Sequence, residues 1–163
     1  MNGRDVIKLS VAIAVSELAG IVGSLFTMPA IPGWYTGLAK PALTPPAWVF
    51  GPVWTTLFLL MGVAAFLVWR KGIAAKGVKL ALAAFLVQLA LNLFWSVLFF
   101  ALREPGYAFV EIIMLWAAIF ATIAAFAKIS RAAAWLLVPY ILWVSFAAYL
   151  NYAIWSLERL SAA

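Results

Sequence analysis

Five long apolar runs dominate the chain: Val6–Met28, Ala47–Trp69, Leu80–Leu102, Tyr107–Ala127 and Ala132–Leu157. Each is near or above the roughly 20 residues that a helix needs to cross a bilayer. Charged, Pro or Gly residues separate each run from the next. The runs lack the apolar/polar alternation of a transmembrane barrel strand and are rich in Ala and Leu, which favour helix. The pattern predicts an all-α, polytopic membrane protein: one five-helix transmembrane domain over residues 1–163, with helices at about 6–28, 47–69, 80–102, 107–127 and 132–157. Pro45 and Pro46 precede the second run and Pro105 the fourth, where a helix start tolerates a missing N–H. The first run follows Arg4 and Lys8 as a signal peptide would. It is long, however, and leads into Pro29, Pro32 and Trp34 without a small-x-small cleavage site, so it reads as a retained first helix.

The connections are uneven. Three are short, whereas residues 29–45 hold Trp34, Tyr35, Leu38, Lys40 and Pro41, an apolar content that a solvated loop does not need. The segment is expected to be a lid or an interfacial stretch; an aromatic-belt anchor at headgroup depth accounts for the same Trp and Tyr. No internal repeat and no pair of broken helices of the secondary-transporter kind is visible.

Helical spacing groups the residues that stand out. Gln88, Asn92 and Trp95 share a face of the third helix; Tyr107, Glu111 and Met114 one of the fourth; Tyr140, Trp143, Ala147, Leu150 and Asn151 one of the fifth; Phe50 and Trp54 one of the second. If these stripes converge, the interior holds Trp54, Trp95 and Trp143 with Phe50, Tyr107 and Phe146, a pocket for a large, flat, apolar molecule. The alternative is plain packing, with Gln88, Asn92 and Asn151 forming interhelical hydrogen bonds. Glu17 lies midway along the first helix near Gly20 and Gly23. A carboxyl at that depth is protonated, paired or in a wet cavity, and for Glu17 and Glu111 a structural or pocket-lining role is preferred over a proton relay.

Composition narrows the chemistry. Hydrophobic residues make up 68% and charged residues 10% of the 163, at a mean hydropathy of +1.11. The chain has no His and no Cys, which excludes imidazole bases, thiolate nucleophiles, disulfides, haem ligation through either residue and nearly every zinc or iron–sulfur site. Only five acidic residues are present, too few for a carboxylate-rich cation site. No metal and no cofactor are expected.

The net charge of +6 belongs to the loops, so no nucleic-acid partner is expected. Arg4, Lys8, Arg70, Lys71, Lys76, Lys79, Lys128 and Arg131 lie on one side, and Lys40, Arg103 and Arg159 on the other. In a bacterial cell membrane this bias puts the N-terminus in the cytoplasm and the C-terminus outside. The mitochondrial outer membrane is the corresponding expectation for a eukaryotic chain.

Several independent motifs carry a family resemblance. One is Trp34-Tyr35-x-x-Leu38-x-Lys40-Pro41-x-x-x-Pro45-Pro46-x-Trp48-Val49-Phe50-Gly51-Pro52-x-Trp54-Thr55. Others are Gln88-Leu89-x-Leu91-Asn92-x-x-Trp95 with Phe99-Phe100, and Pro139-Tyr140-x-x-Trp143 with Leu150-Asn151-Tyr152. Together, over about Trp34 to Trp155, they closely resemble the TspO/MBR family, the tryptophan-rich sensory proteins of bacteria and the mitochondrial translocator (peripheral-type benzodiazepine receptor) protein.

The resemblance implies a five-helix homodimer that binds porphyrins such as protoporphyrin IX, cholesterol in animal members, and synthetic isoquinoline-carboxamide or benzodiazepine ligands. Family pocket positions map onto Ser24, Phe50, Trp54, Asn92, Trp95, Tyr107, Met114, Trp143, Phe146, Ala147 and Leu150, and the family lid onto Trp34 and Tyr35. For dimerisation the small residues Ala81 and Ala84 would let third helices approach closely.

One departure concerns cholesterol. Leu150 and Tyr152 begin the animal-type motif, but the next basic residue is Arg159, and Ser156 stands where the family's Arg is expected. Such motifs are weak even when complete, and a tetrapyrrole role fits better. Three functions follow. The first is a membrane receptor or sensor for porphyrins and related flat ligands, involved in tetrapyrrole transport or regulation. The second is light- and oxygen-dependent porphyrin breakdown using Trp54 and Trp143, the chain having no other catalytic candidates. The third is a cholesterol or porphyrin transporter. Turnover is the least supported, because without His, Cys or metal the bound porphyrin's own photochemistry must carry the hard step.

Overall fold

A computed structural model describes residues 2–161, and among these every regular element is helical. Helix α1 spans Gly3–Ala30; the Asn2 side chain accepts from the Asp5 N–H at 2.9 Å and caps its start. At Ile31–Tyr35 the helix widens by one residue per turn, and the Thr36 N–H donates to the Ile31 carbonyl. Pro29 and Pro32 cannot donate to the ordinary ladder, and the wider turn absorbs the mismatch. The loop expected at 29–45 is therefore shorter. Helical turns continue to residue 37, and the non-helical connection is 38–46.

Helix α2 spans Ala47–Trp69 and α3 Val78–Ser96, with Gly77 at φ 83° before it, a conformation glycine adopts without a Cβ penalty. A second wide turn, Val97–Ala101, extends α3, and α4 spans Pro105–Ala127 with Pro105 in its first turn. The fifth run is two helices, α5 Arg131–Leu136 and α6 Val138–Ser161. The expected single helix at 132–157 breaks at Leu137 because Pro139 has no N–H for the Trp135 carbonyl and its ring crowds it. Five stretches are long and apolar enough to cross a membrane: Gly3–Tyr35, Ala47–Trp69, Val78–Ala101, Pro105–Ala127 and Arg131–Leu160.

The helices close into a ring, α1 against α2, α2 against α5 and α6, α6 against α4, α4 against α3, and α3 against α1. One end is solid. Met61, Ala64, Val68, Val78, Ala81 and Phe126 are buried there, and Phe85 stacks on Phe126 at 6.0 Å. Helices in lipid gain little from apolar burial against one another, so close packing holds this end together. Gly62 shows how close: a Cβ there would stand 2.6 Å from the Ile13 Cα. Ala81 is 1% exposed inside the bundle, which corrects the expectation that it meets a second copy.

Buried polar ties fix the other end. The Asn92 amide donates to the Tyr140 hydroxyl at 3.0 Å and the Trp95 indole N–H to Asn151 Oδ1 at 3.0 Å. The Asn151 amide donates to the Pro105 carbonyl at 2.7 Å. These bonds join α3, α4 and α6 where small-residue packing gives way to large aromatics.

Candidate functional site

From the Gly62–Ile13 approach, α1 and α2 run on toward the 38–46 connection, and between them, α3 and α6 lies a cavity of about 460 Å³. That size suits a single small-molecule ligand. α1 supplies Glu17, Gly20, Gly23, Ser24 and Thr27; α2 supplies Phe50, Gly51, Trp54 and Phe58. From α3 and its extension come Asn92, Trp95, Ser96, Phe99 and Phe100, and from α6 Trp143, Ala147, Leu150, Asn151 and Ile154. Tyr35 closes the end, and the rim includes Met28 and Trp48, 68% and 75% exposed. The cavity therefore opens sideways between α1 and α2.

Its aromatic rings fall into three packed groups. Trp54 stacks on Phe58 at 5.6 Å and meets Tyr140 edge-on at 6.3 Å; Phe50 meets Trp143 edge-on at 6.0 Å; Trp95 stacks on Phe99 at 5.1 Å. These ring-to-ring contacts hold the side chains in fixed orientations. Asn92 and Asn151 hold their polar ends through the bonds to Tyr140, Trp95 and the Pro105 carbonyl. Among the described residues, no group of three His, Asp or Glu side chains is placed to hold a metal.

The motif-bearing stretch thus builds one site. The TspO/MBR family model matches residues 12–156. The chain is 42% identical over 155 residues to "Tryptophan-rich protein TspO" of Chlorobaculum tepidum, covering 95% of this chain and 98% of that one. It is 42% identical over 141 residues to "Translocator protein" of Homo sapiens, with 85% and 83% covered. "Tryptophan-rich sensory protein" of Cereibacter sphaeroides is 37% identical over 119 residues, 73% of each chain.

The chain belongs to the TspO/MBR family.

Of the positions that the TspO/MBR resemblance implies, Ser24, Tyr35, Phe50, Trp54, Asn92, Trp95, Trp143, Ala147 and Leu150 line the cavity. Four do not. Trp34 lies one layer out, edge-on to Phe99 at 5.5 Å and to Phe100 at 6.5 Å, and Phe146 packs against Trp143 at 5.7 Å. Tyr107 and Met114 are 70% and 52% exposed on the outside of α4. The expected stripe Tyr107, Glu111, Met114 therefore turns only Glu111 inward. The buried face of α4 runs through Ala108, Glu111, Ile112, Leu115, Ile119 and Thr122, and Tyr107 and Met114 flank it. No described residue of α4 reaches the cavity, because α3 and α6 stand between.

Several wall residues were outside the sequence expectation for the site: Thr27, Gly51, Phe58, Ser96, Phe99 and Ile154. Phe99 and Phe100 lay inside a family motif, a signal that was available; Thr27, Ser96 and Ile154 carry none. Gln88, expected to face protein or ligand, is 1% exposed and outside the cavity, and neither it nor Glu111 has a side-chain hydrogen bond.

Proposed function

We propose that this membrane protein binds porphyrins such as protoporphyrin IX, and related flat apolar ligands, in the cavity between α1, α2, α3 and α6, as a receptor or sensor in tetrapyrrole transport or regulation. The carrying observation is the aromatic wall of Phe50, Trp54, Trp95 and Trp143 around about 460 Å³. Planar molecules gain both area and ring contacts against such faces. The sideways opening between α1 and α2 suits a ligand that arrives dissolved in lipid. The names of its relatives, "Translocator protein" and "Tryptophan-rich sensory protein", agree with ligand handling at a membrane.

A second reading has one specific observation behind it. Trp54 and Trp143 both line the same cavity, so a bound porphyrin excited by light would lie near two oxidisable indoles, with oxygen as the oxidant. The proposed homodimer has to use other residues than Ala81; on α3, Leu80, Leu86, Val87 and Phe94 are the exposed large apolar side chains.

The test is quenching of tryptophan fluorescence in purified protein titrated with protoporphyrin IX in the dark, beside Trp143→Phe and Asn92→Ala. Saturable quenching weakened in both variants is expected. Quenching that never saturates and is identical in all three proteins would mean partition into detergent and would sink the reading. Repeating the titration under light, porphyrin bleaching that requires Trp143 would favour breakdown.

A further inference from the structure

The α1 wall of the cavity differs in kind from the other three. Glu17, Gly20, Ser24 and Thr27 follow one another at three- and four-residue steps, and all four line the cavity. The Ser24 hydroxyl donates to the Ile21 carbonyl at 2.6 Å and the Thr27 hydroxyl to the Gly23 carbonyl at 3.1 Å. With those protons engaged by the helix backbone, both oxygens meet a ligand as acceptors. Gly20 and Gly23 let Phe58 of α2 and Ser96 of α3 pack close against α1 between these polar groups.

Glu17 heads this row and has no partner among the described residues. The neighbouring helices supply no countercharge at its depth. α2 contains no ionisable side chain, the sole charge on α3 is Lys79 in its first turn, and on α1 itself Arg4, Asp5 and Lys8 lie at the N-terminal end. Across the cavity, α6 brings Tyr140, whose hydroxyl accepts from Asn92, and its charged residues Glu158 and Arg159 lie at the far end. A carboxyl at mid-membrane depth needs a donor or a cation, and here the cavity is the place one can come from.

We infer that the cavity selects ligands carrying N–H donors or a positive charge along the edge that lies on α1, with Glu17 as the specificity-determining residue and Ser24 and Thr27 as supporting acceptors. The ligand's flat face stacks on the aromatic wall, which also favours a cation, and an anionic group is turned away from α1. This rests on the proposal that the cavity binds flat apolar molecules, and it adds which edge chemistry those molecules carry.

Three probes that share one ring system separate the two ideas: protoporphyrin IX, a dianion through its propionates; its dimethyl ester, which is neutral; and the bis-amide formed with ethylenediamine, which carries two ammonium groups. Affinities are read by tryptophan quenching at fixed salt for the unaltered protein, Glu17→Gln and Ser24→Ala. In the unaltered protein the diammonium probe is expected to bind about tenfold tighter than the ester, and the dianion weaker than the ester. Glu17→Gln should remove most of the diammonium advantage over the ester and improve the dianion relative to it. Ser24→Ala, a milder change, should reduce the diammonium advantage by a few-fold.

Equal affinities for the three probes in the unaltered protein, or a diammonium advantage that Glu17→Gln leaves intact, overturns this inference while the binding proposal stands. No saturable binding of any probe to the unaltered protein overturns both. If Glu17→Gln fails to fold, the ranking in the unaltered protein and the Ser24→Ala comparison decide alone.

Discussion

Lys40 reaches back over Tyr35: its ammonium donates to the Tyr35 carbonyl at 2.7 Å and lies 4.9 Å from the centre of the Tyr35 ring. The same ammonium donates to the Leu38 and Thr36 carbonyls at 3.1 and 3.2 Å. The Tyr35 and Thr36 carbonyls belong to the last turn of the first helix, where the regular backbone ladder ends. One positive charge therefore ends the helix, complements its dipole and ties the 38–46 connection to a residue that lines the cavity.

Lys40→Met keeps the aliphatic stem and removes the three bonds. Each charge-assisted bond contributes about 1.5–3 kcal/mol where it is shielded from water, and the partly exposed position reduces that. Hydrogen–deuterium exchange over residues 36–46 should rise severalfold and the ligand should dissociate faster, with little change in the solid end of the bundle. Unchanged exchange in this segment would show that the connection is held by other contacts.

At the solid end, Gly62 is expected to tolerate no side chain, because the atoms it would meet are Ile13 backbone, which cannot rotate away. Gly62→Val should cost about 1–3 kcal/mol, the usual penalty of overpacking, read as a lower midpoint of thermal unfolding in detergent. Gly51→Ala, with nothing within 4 Å of the added Cβ, is the control and should unfold near the parent midpoint.

Asn151 serves two helices at once, accepting from Trp95 and donating to the Pro105 carbonyl. Asn151→Leu leaves a half-buried indole N–H and a carbonyl unpaired, a cost of about 1–3 kcal/mol. Lower thermal stability and a changed Trp95 emission are expected. A variant as stable as the parent would mean that water or lipid replaces both bonds.

Tyr107 and Met114 separate the motif from the geometry. The family resemblance implies both as pocket positions, yet both face outward here. Tyr107→Phe and Met114→Ala should leave protoporphyrin affinity within about twofold of the parent, whereas Trp95→Ala, which removes a wall ring, should weaken it about tenfold. Affinity lost in Tyr107→Phe as in Trp95→Ala would put α4 in the site.

The membrane-spanning runs were legible because the bilayer demands long, uninterrupted apolar helices, and few sequences meet that demand by accident. The breaks were less so. Pro29 and Pro32 read as the end of a helix, yet a wide turn carries it to residue 37, and Pro139 sits inside an unbroken apolar run that the chain splits at Leu137. Proline tells where the ladder loses a bond, and the surrounding packing decides whether the helix widens, kinks or stops.

The sequence by itself determined the number of spans, the absence of imidazole and thiol chemistry, the family, and which residues share a face within each helix. Helical periodicity fixes those neighbours without reference to anything else. Only the tertiary structure decided which face of each helix turns inward, and so that Glu17 and Thr27 border the cavity while Tyr107 and Met114 do not. The reason is physical: in lipid both faces of a helix are apolar, so no polar stripe marks the outer side as it does in water. The rotation of α4 is set by the fit of Ala108, Ile112 and Leu115 against α3 and α6, a relation between residues distant in the chain that no local pattern contains.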